Sequence, residues 1–129
     1  MKTGVLIPFY FFAVIHPSNS IDNSEIPLDV DEVISCLRNR WKASYDLRLV
    51  VRDKRLYLQI MWNHLEQQSF PMSEEAYRMH LNDVIEVINR VGEAKLVRKW
   101  LATIQQKPRL GKAVSLPLET SYLLDEFVL

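Results

Sequence analysis

LRLVVRDKRLYLQIMW, residues 47–62, has the period of a β-hairpin. Leu47, Leu49 and Val51 alternate with Arg48, Val50 and Arg52; beyond Asp53 and Lys54, the residues Leu56, Leu58, Ile60 and Trp62 share one face. Successive side chains of a strand point to opposite faces, so this pattern predicts two antiparallel strands that bury one side of a ribbon. The Asp53-Lys54 turn lacks the glycine that two-residue hairpin turns favour, which leaves its geometry open. Tyr57, Gln59 and Met61 on the opposite face are mixed in character, as expected of a half-covered second face or an interface.

Helical spacing flanks the ribbon on both sides. Upstream, LDVDEVISCLRNRW sets Val30, Val33, Ile34, Leu37 and Trp41 along one stripe, and Asp29 with Glu32 three residues on reads as a reciprocal capping box. Downstream, Phe70 and Pro71 end the strand, and Ser73 followed by Glu74 and Glu75 opens a second helix whose buried stripe is Tyr77, Leu81, Val84, Ile85, Ile88 and Val91. Gly92 closes that helix. A third helix turns Leu96, Val97, Trp100, Leu101 and Ile104 inward and is stopped by Pro108. Val114, Leu116 and Leu118 alternate again as a third strand, which Pro117 pushes toward a sheet edge. Leu123, Leu124, Phe127 and Val128 fit a short C-terminal helix. The expected fold is α+β: a small antiparallel sheet, hairpin plus third strand, packed by three to four helices.

A chain of 129 residues that is 48% apolar is the size of one domain with a real core. We place that domain at residues 28–129. Residues 1–27 form an apolar extension: Lys2, the run Val5 to Ile15, then polar HPSNS, an outline shared by a signal peptide, a membrane-lying anchor and a start codon assigned too far upstream. The apolar run falls short of the roughly 20 residues that span a bilayer. Cys36 is the single cysteine, which excludes an intrachain disulfide and a cysteine-based zinc site, and it reads as a small filler at the edge of the first helix's stripe.

Several reaction motifs are incomplete. His64 and Glu66 form the HxE half of a nucleobase-deaminase pattern, without the PCxxC half that would hold zinc. HExxH and GxSxG are absent. PRLGKA, residues 108–113, contains Gly-Lys, but Gln106 and Ala113 stand where a Walker loop requires Gly and Ser or Thr. His80 and Asp83 are spaced to meet on one helical face. No catalytic residue, cofactor or metal is therefore expected, and WNHLEQQSFP reads as a polar connector at a strand end.

The sixteen cations and sixteen anions cancel, yet they are unevenly placed. Residues 38–55 carry seven cations against two anions, and residues 63–93 carry two cations against six anions. Such a two-sided chain suits an asymmetric protein partner better than a uniform polyanion. Basic residues near Trp41, Tyr45 and Tyr57 leave RNA binding as a minor alternative.

LYLQIMWNHLEQQSFP, KPRLGKAVSLPL and RNRWKASYDLRL together resemble a small uncharacterised family of cyanobacteria and plastids, domain of unknown function 3067. The resemblance runs from about Asp29 to Leu118. It implies a compact α+β fold and a cytosolic or plastid-stromal setting in a phototroph, with no assigned reaction or cofactor; membrane or secreted placement would require residues 5–15. The expectation that follows is a non-enzymatic interaction or assembly-factor module for a photosynthetic or plastid-type complex. Its contacts to a protein partner would be Trp62, His64, Glu66, Arg109 and Lys112. The alternative is a small enzyme or ligand-binding protein with His64, Glu66 and Arg109 in one cleft.

Overall fold

The computed structural model describes residues 26–119. Along them run α1 (Val30–Trp41), β1 (Tyr45–Arg52), β2 (Arg55–His64), α2 (Glu74–Arg90), α3 (Ala94–Thr103) and β3 (Val114–Pro117). The sheet is antiparallel in the order β1-β2-β3, and the helices share one core with its inner face, so the fold is the expected α+β. Most of the apolar extension and the expected C-terminal helix lie outside the described residues. None of the described helices is long and apolar enough to cross a membrane.

The hairpin has the register its alternation demands: Leu47 faces Ile60, Leu49 faces Leu58 and Val51 faces Leu56. Leu47, Leu56, Leu58 and Ile60 are buried against the helices, whereas Val51, near the tip, is 45% exposed. A two-residue turn of the favoured hand needs positive φ at both central positions. Asp53 and Lys54 supply it without glycine, at φ 53° and 63°. Trp62 departs from expectation. Between the pairs Leu47↔Ile60 and Tyr45↔His64, β2 contains three residues where β1 contains one, and Trp62 sits in this bulge. With no β1 residue opposite, it is 38% exposed rather than packed beneath the sheet.

Arg48, Ser115 and Pro117 are exposed on the outer face, with Val50, Tyr57, Gln59 and Met61 half-buried among them. That face carries no described helix. β3 pairs only with β2, at the edge where Pro117 was expected.

Local chemistry fixes the helix ends. Asp29 accepts the Glu32 N–H at 2.8 Å, but the capping box is half-made. The Glu32 carboxylate turns to Arg98 of α3, at 2.5 and 2.9 Å, because a guanidinium forks onto both its oxygens. The Ser73 hydroxyl caps α2 by accepting from the Ala76 N–H. At the other end Gly92, φ 78°, and Glu93 donate their N–H groups to Asn89 O and Ile88 O, a Schellman closure. α3 ends at Thr103, ahead of Pro108, since Ile104 turns extended while its side chain remains 7% exposed. Tyr77, Leu81, Val84, Ile85, Ile88 and Val91 are buried as expected, and Cys36 packs half-buried beside the core.

Candidate interaction surface

Three constructions position the polar residues. The first locks the strand end to the end of α1. Glu66 accepts from the Ser44 N–H and the Ser44 hydroxyl, both at 2.8 Å, and from Arg38 at 2.5 Å. His64 Nδ1 stands 3.3 Å from the same carboxylate, and its ring meets Tyr45 edge-on. Backbone bonds from Leu65 to Ser44 and from Gln67 to His64 fold the chain back at this point. Burial pushes the Glu66 carboxyl up, but the backbone and hydroxyl bonds from Ser44, with help from its own backbone and His64, outweigh it and hold the group below the usual carboxylate range. Ser44 is 1% exposed, so Glu66 covers its amide as well as accepting from it. His64 and Glu66 are thus brought together, as parts of a latch.

The second construction closes part of a sheet edge. The Tyr77 hydroxyl donates to Tyr45 O at 2.7 Å. Burial, then the Asp46 and Glu66 carboxylates, push this hydroxyl far above its ordinary pKa, keeping it a neutral donor. The His80 ring turns away from the expected partner Asp83 and places Nε2 2.8 Å from Leu47 O. A carbonyl oxygen only accepts, so Nε2 carries hydrogen. The same nitrogen lies 3.1 Å from Oδ1 of Asp46, yet that oxygen has no well-aligned hydrogen bond, because the Nε2 hydrogen is directed at Leu47 O. Asp46 is 0% exposed, and Arg48 Nε reaches its other oxygen at 3.0 Å. Nothing in the sequence marks Asp46 as buried. It interrupts the alternation as one of five consecutive buried residues, Ala43 to Leu47.

The third is the turn Arg109-Leu110-Gly111-Lys112. Arg109 and Lys112 exchange both backbone hydrogen bonds, at 3.1 and 2.8 Å, and Gly111 at φ 76° occupies the position where a type II turn requires positive φ. At its tip Leu110 is 75% exposed, the most exposed of the large hydrophobic residues described. Lys107, Arg109 and Lys112, with Gln106, Ala113 and Val114, line a hollow of about 280 Å³ that has no carboxylate in its lining. Leu110 was not among the expected contacts, although a leucine between Arg109 and Gly-Lys is a readable signal.

β2 and β3 run antiparallel with Ile60 opposite Val114, so the chain entering β3 and the chain leaving β2 lie at the same end of the sheet. The Arg109–Lys112 turn and the Trp62 bulge therefore share that end. Arg109 is not part of the His64–Glu66 latch. Glu66 lines a different hollow, with Ile34, Arg38, Ser44, Leu65, Glu74, Tyr77 and Arg78. Among the described residues no group of three or more His, Cys, Asp or Glu side chains is arranged to hold a metal ion.

This architecture is shared by a solved structure. The solution NMR structure of the Alr2454 protein from Nostoc sp. strain PCC 7120, a structural-genomics target, is 35% identical over 79% of this chain and 98% of its own, with a TM-score of 0.70. Among curated proteins no significant match is found. A family model matches residues 31–128, from the first turn of α1 to beyond β3. The chain belongs to the family described as Domain of unknown function (DUF3067).

Proposed function

We propose that the chain is a non-enzymatic interaction module, working as an assembly factor in a phototroph, whose contact surface is the sheet end formed by Trp62, Arg109, Leu110 and Lys112. One observation carries this reading. Leu110 is held out, 75% exposed, on a turn fixed by two backbone hydrogen bonds and flanked by two cations. A single exposed leucine is ordinary, but one on a pre-ordered turn loses little backbone freedom on docking, and Trp62 and Arg109 at the same end are of the residue types that dominate interface energies. The matching partner is a protein with an apolar pocket rimmed by carboxylates. His64 and Glu66 contribute indirectly, by holding the bulged strand end against α1. The cyanobacterial relative supports the phototroph setting.

The test is affinity capture of partners by the tagged chain from a cyanobacterial lysate. A specific protein should be retained by the wild type and lost with Arg109→Ala plus Lys112→Ala. Recovery of no specific protein, or retention indifferent to both substitutions, overturns the reading. Nuclease-sensitive, steeply salt-dependent retention would instead favour RNA.

A further inference from the structure

Apart from Ser115 on β3, one stretch of sheet edge has no backbone or side-chain partner among the described residues. On β3 the backbone of Leu118 donates to Leu56 O, so by the alternation of an antiparallel ladder Ser115 and Pro117 face outward. Pro117 has no N–H, and that edge is blunted. On β1 the outward carbonyls of Tyr45 and Leu47 are occupied by Tyr77 and His80 of α2. The same alternation turns the N–H and C=O groups of Leu49 and Val51 outward as well, and among the described residues no side chain of α2 hydrogen-bonds to them. Val51 is 45% exposed and Leu49 and Val50 are half-buried. Among the described residues nothing pairs with the outward groups of these two residues of the edge strand, and the stretch carries apolar side chains on both faces.

We propose that this stretch of β1, Leu49 to Val51, is a β-addition site for an extended acidic peptide segment of another protein. Charge selects the occupant. Arg52, Lys54 and Arg55 surround the hairpin tip, all exposed, against one exposed anion, Asp53; Arg48 is paired to the buried Asp46. A second copy of the chain fits poorly. Antiparallel pairing centred on Val50 would set Arg52 opposite Arg48 of the second copy, and like charges directly opposite are destabilising. An acidic strand meets no such clash, takes backbone hydrogen bonds from Leu49 and Val51, and lays its carboxylates beside the three cations. This site stands apart from the Trp62 and Leu110 surface, because the hairpin tip is the far end of β1 from Tyr45.

The probe is a blocked heptapeptide alternating glutamate with valine, added to the isotopically labelled full chain and followed by NMR. The Leu49 and Val51 amides should shift and exchange hydrogen more slowly on saturation. Val51→Pro removes one edge donor while leaving the β2 ladder intact, and should weaken binding by about tenfold. Arg52→Glu plus Arg55→Glu should abolish glutamate-peptide binding and create binding to the lysine counterpart. Shifts confined to other residues, equal binding of both peptides by the wild type, or indifference to the charge reversal would overturn the proposal. So would a wild-type dimer, seen by sedimentation, with Leu49 and Val51 already protected.

Discussion

Replacing Glu66 with Ala tests how the strand end is held. The Glu66 carboxylate is the hydrogen-bond partner of the Ser44 N–H, whose residue is 1% exposed, and also receives the Ser44 hydroxyl and Arg38. A buried donor left without a partner costs about 1–3 kcal/mol. The Arg38 pair, with side chains 54% and 35% exposed, adds at most about 1 kcal/mol because water screens it. The variant should therefore lose about 2–3 kcal/mol, roughly 10–20 °C in midpoint for a domain of this size. Glu66→Gln keeps an acceptor for the amide but loses the charge, and should cost about half as much. The dependence on pH has a definite sign. The folded-state carboxyl titrates below its ordinary value, so the unfolded chain binds the proton more readily and stability rises with pH across this interval. The contribution is complete above the unfolded value of about 4.3 and is lost as pH falls through the folded one. Urea unfolding followed by tryptophan fluorescence, at pH 7 and at pH 3, reads both effects. A Glu66→Ala penalty below about 0.5 kcal/mol at pH 7, or a Glu66→Gln penalty unchanged at pH 3, would refute the latch.

Lys54 adopts φ 63°. A left-handed conformation costs a non-glycine residue about 1–2 kcal/mol, partly offset by the greater freedom of glycine when unfolded, so Lys54→Gly should raise stability by about 0.5–1 kcal/mol in the same unfolding assay. Tyr77→Phe strips the donor from Tyr45 O and should cost about 1–2 kcal/mol, with faster amide exchange along the first half of β1. Leu58→Ala, at a position 0% exposed in the centre of the sheet, should cost about 2–5 kcal/mol by thermal unfolding.

Periodicity made the element types legible. The two-residue alternation from Leu47 to Ile60 and the helical stripe from Tyr77 to Val91 both arise from one-sided burial, and both correspond to the structure element for element. Features that depend on non-local pairing were not legible. Nothing near Trp62 in sequence reveals that β1 supplies one residue where β2 has three, so alternation alone places it on the inner face. His80 went to Leu47 O rather than Asp83 because an unpaired strand carbonyl beside α2 is a stronger demand than an exposed carboxylate, and that carbonyl appears only when the strand is folded. Glu32 likewise preferred Arg98, 66 positions away, to the amide beside it. Of the expected contact residues, Trp62, Arg109 and Lys112 share one end of the sheet, while His64 and Glu66 are engaged with Ser44 and Arg38. The cationic flanks of Leu110 are legible in the sequence, but its exposure depends on the locked turn.

The central claim, that the Leu110 end of the sheet meets another protein, is tested most directly by photocrosslinking in cyanobacterial cells. A photoreactive side chain placed at position 110 is compared with one at position 79, where Met79 is 65% exposed on α2. Position 110 should give a discrete crosslinked protein, abolished by Arg109→Ala plus Lys112→Ala, and position 79 should give none of it. Equal, diffuse crosslinking from both positions would contradict the claim.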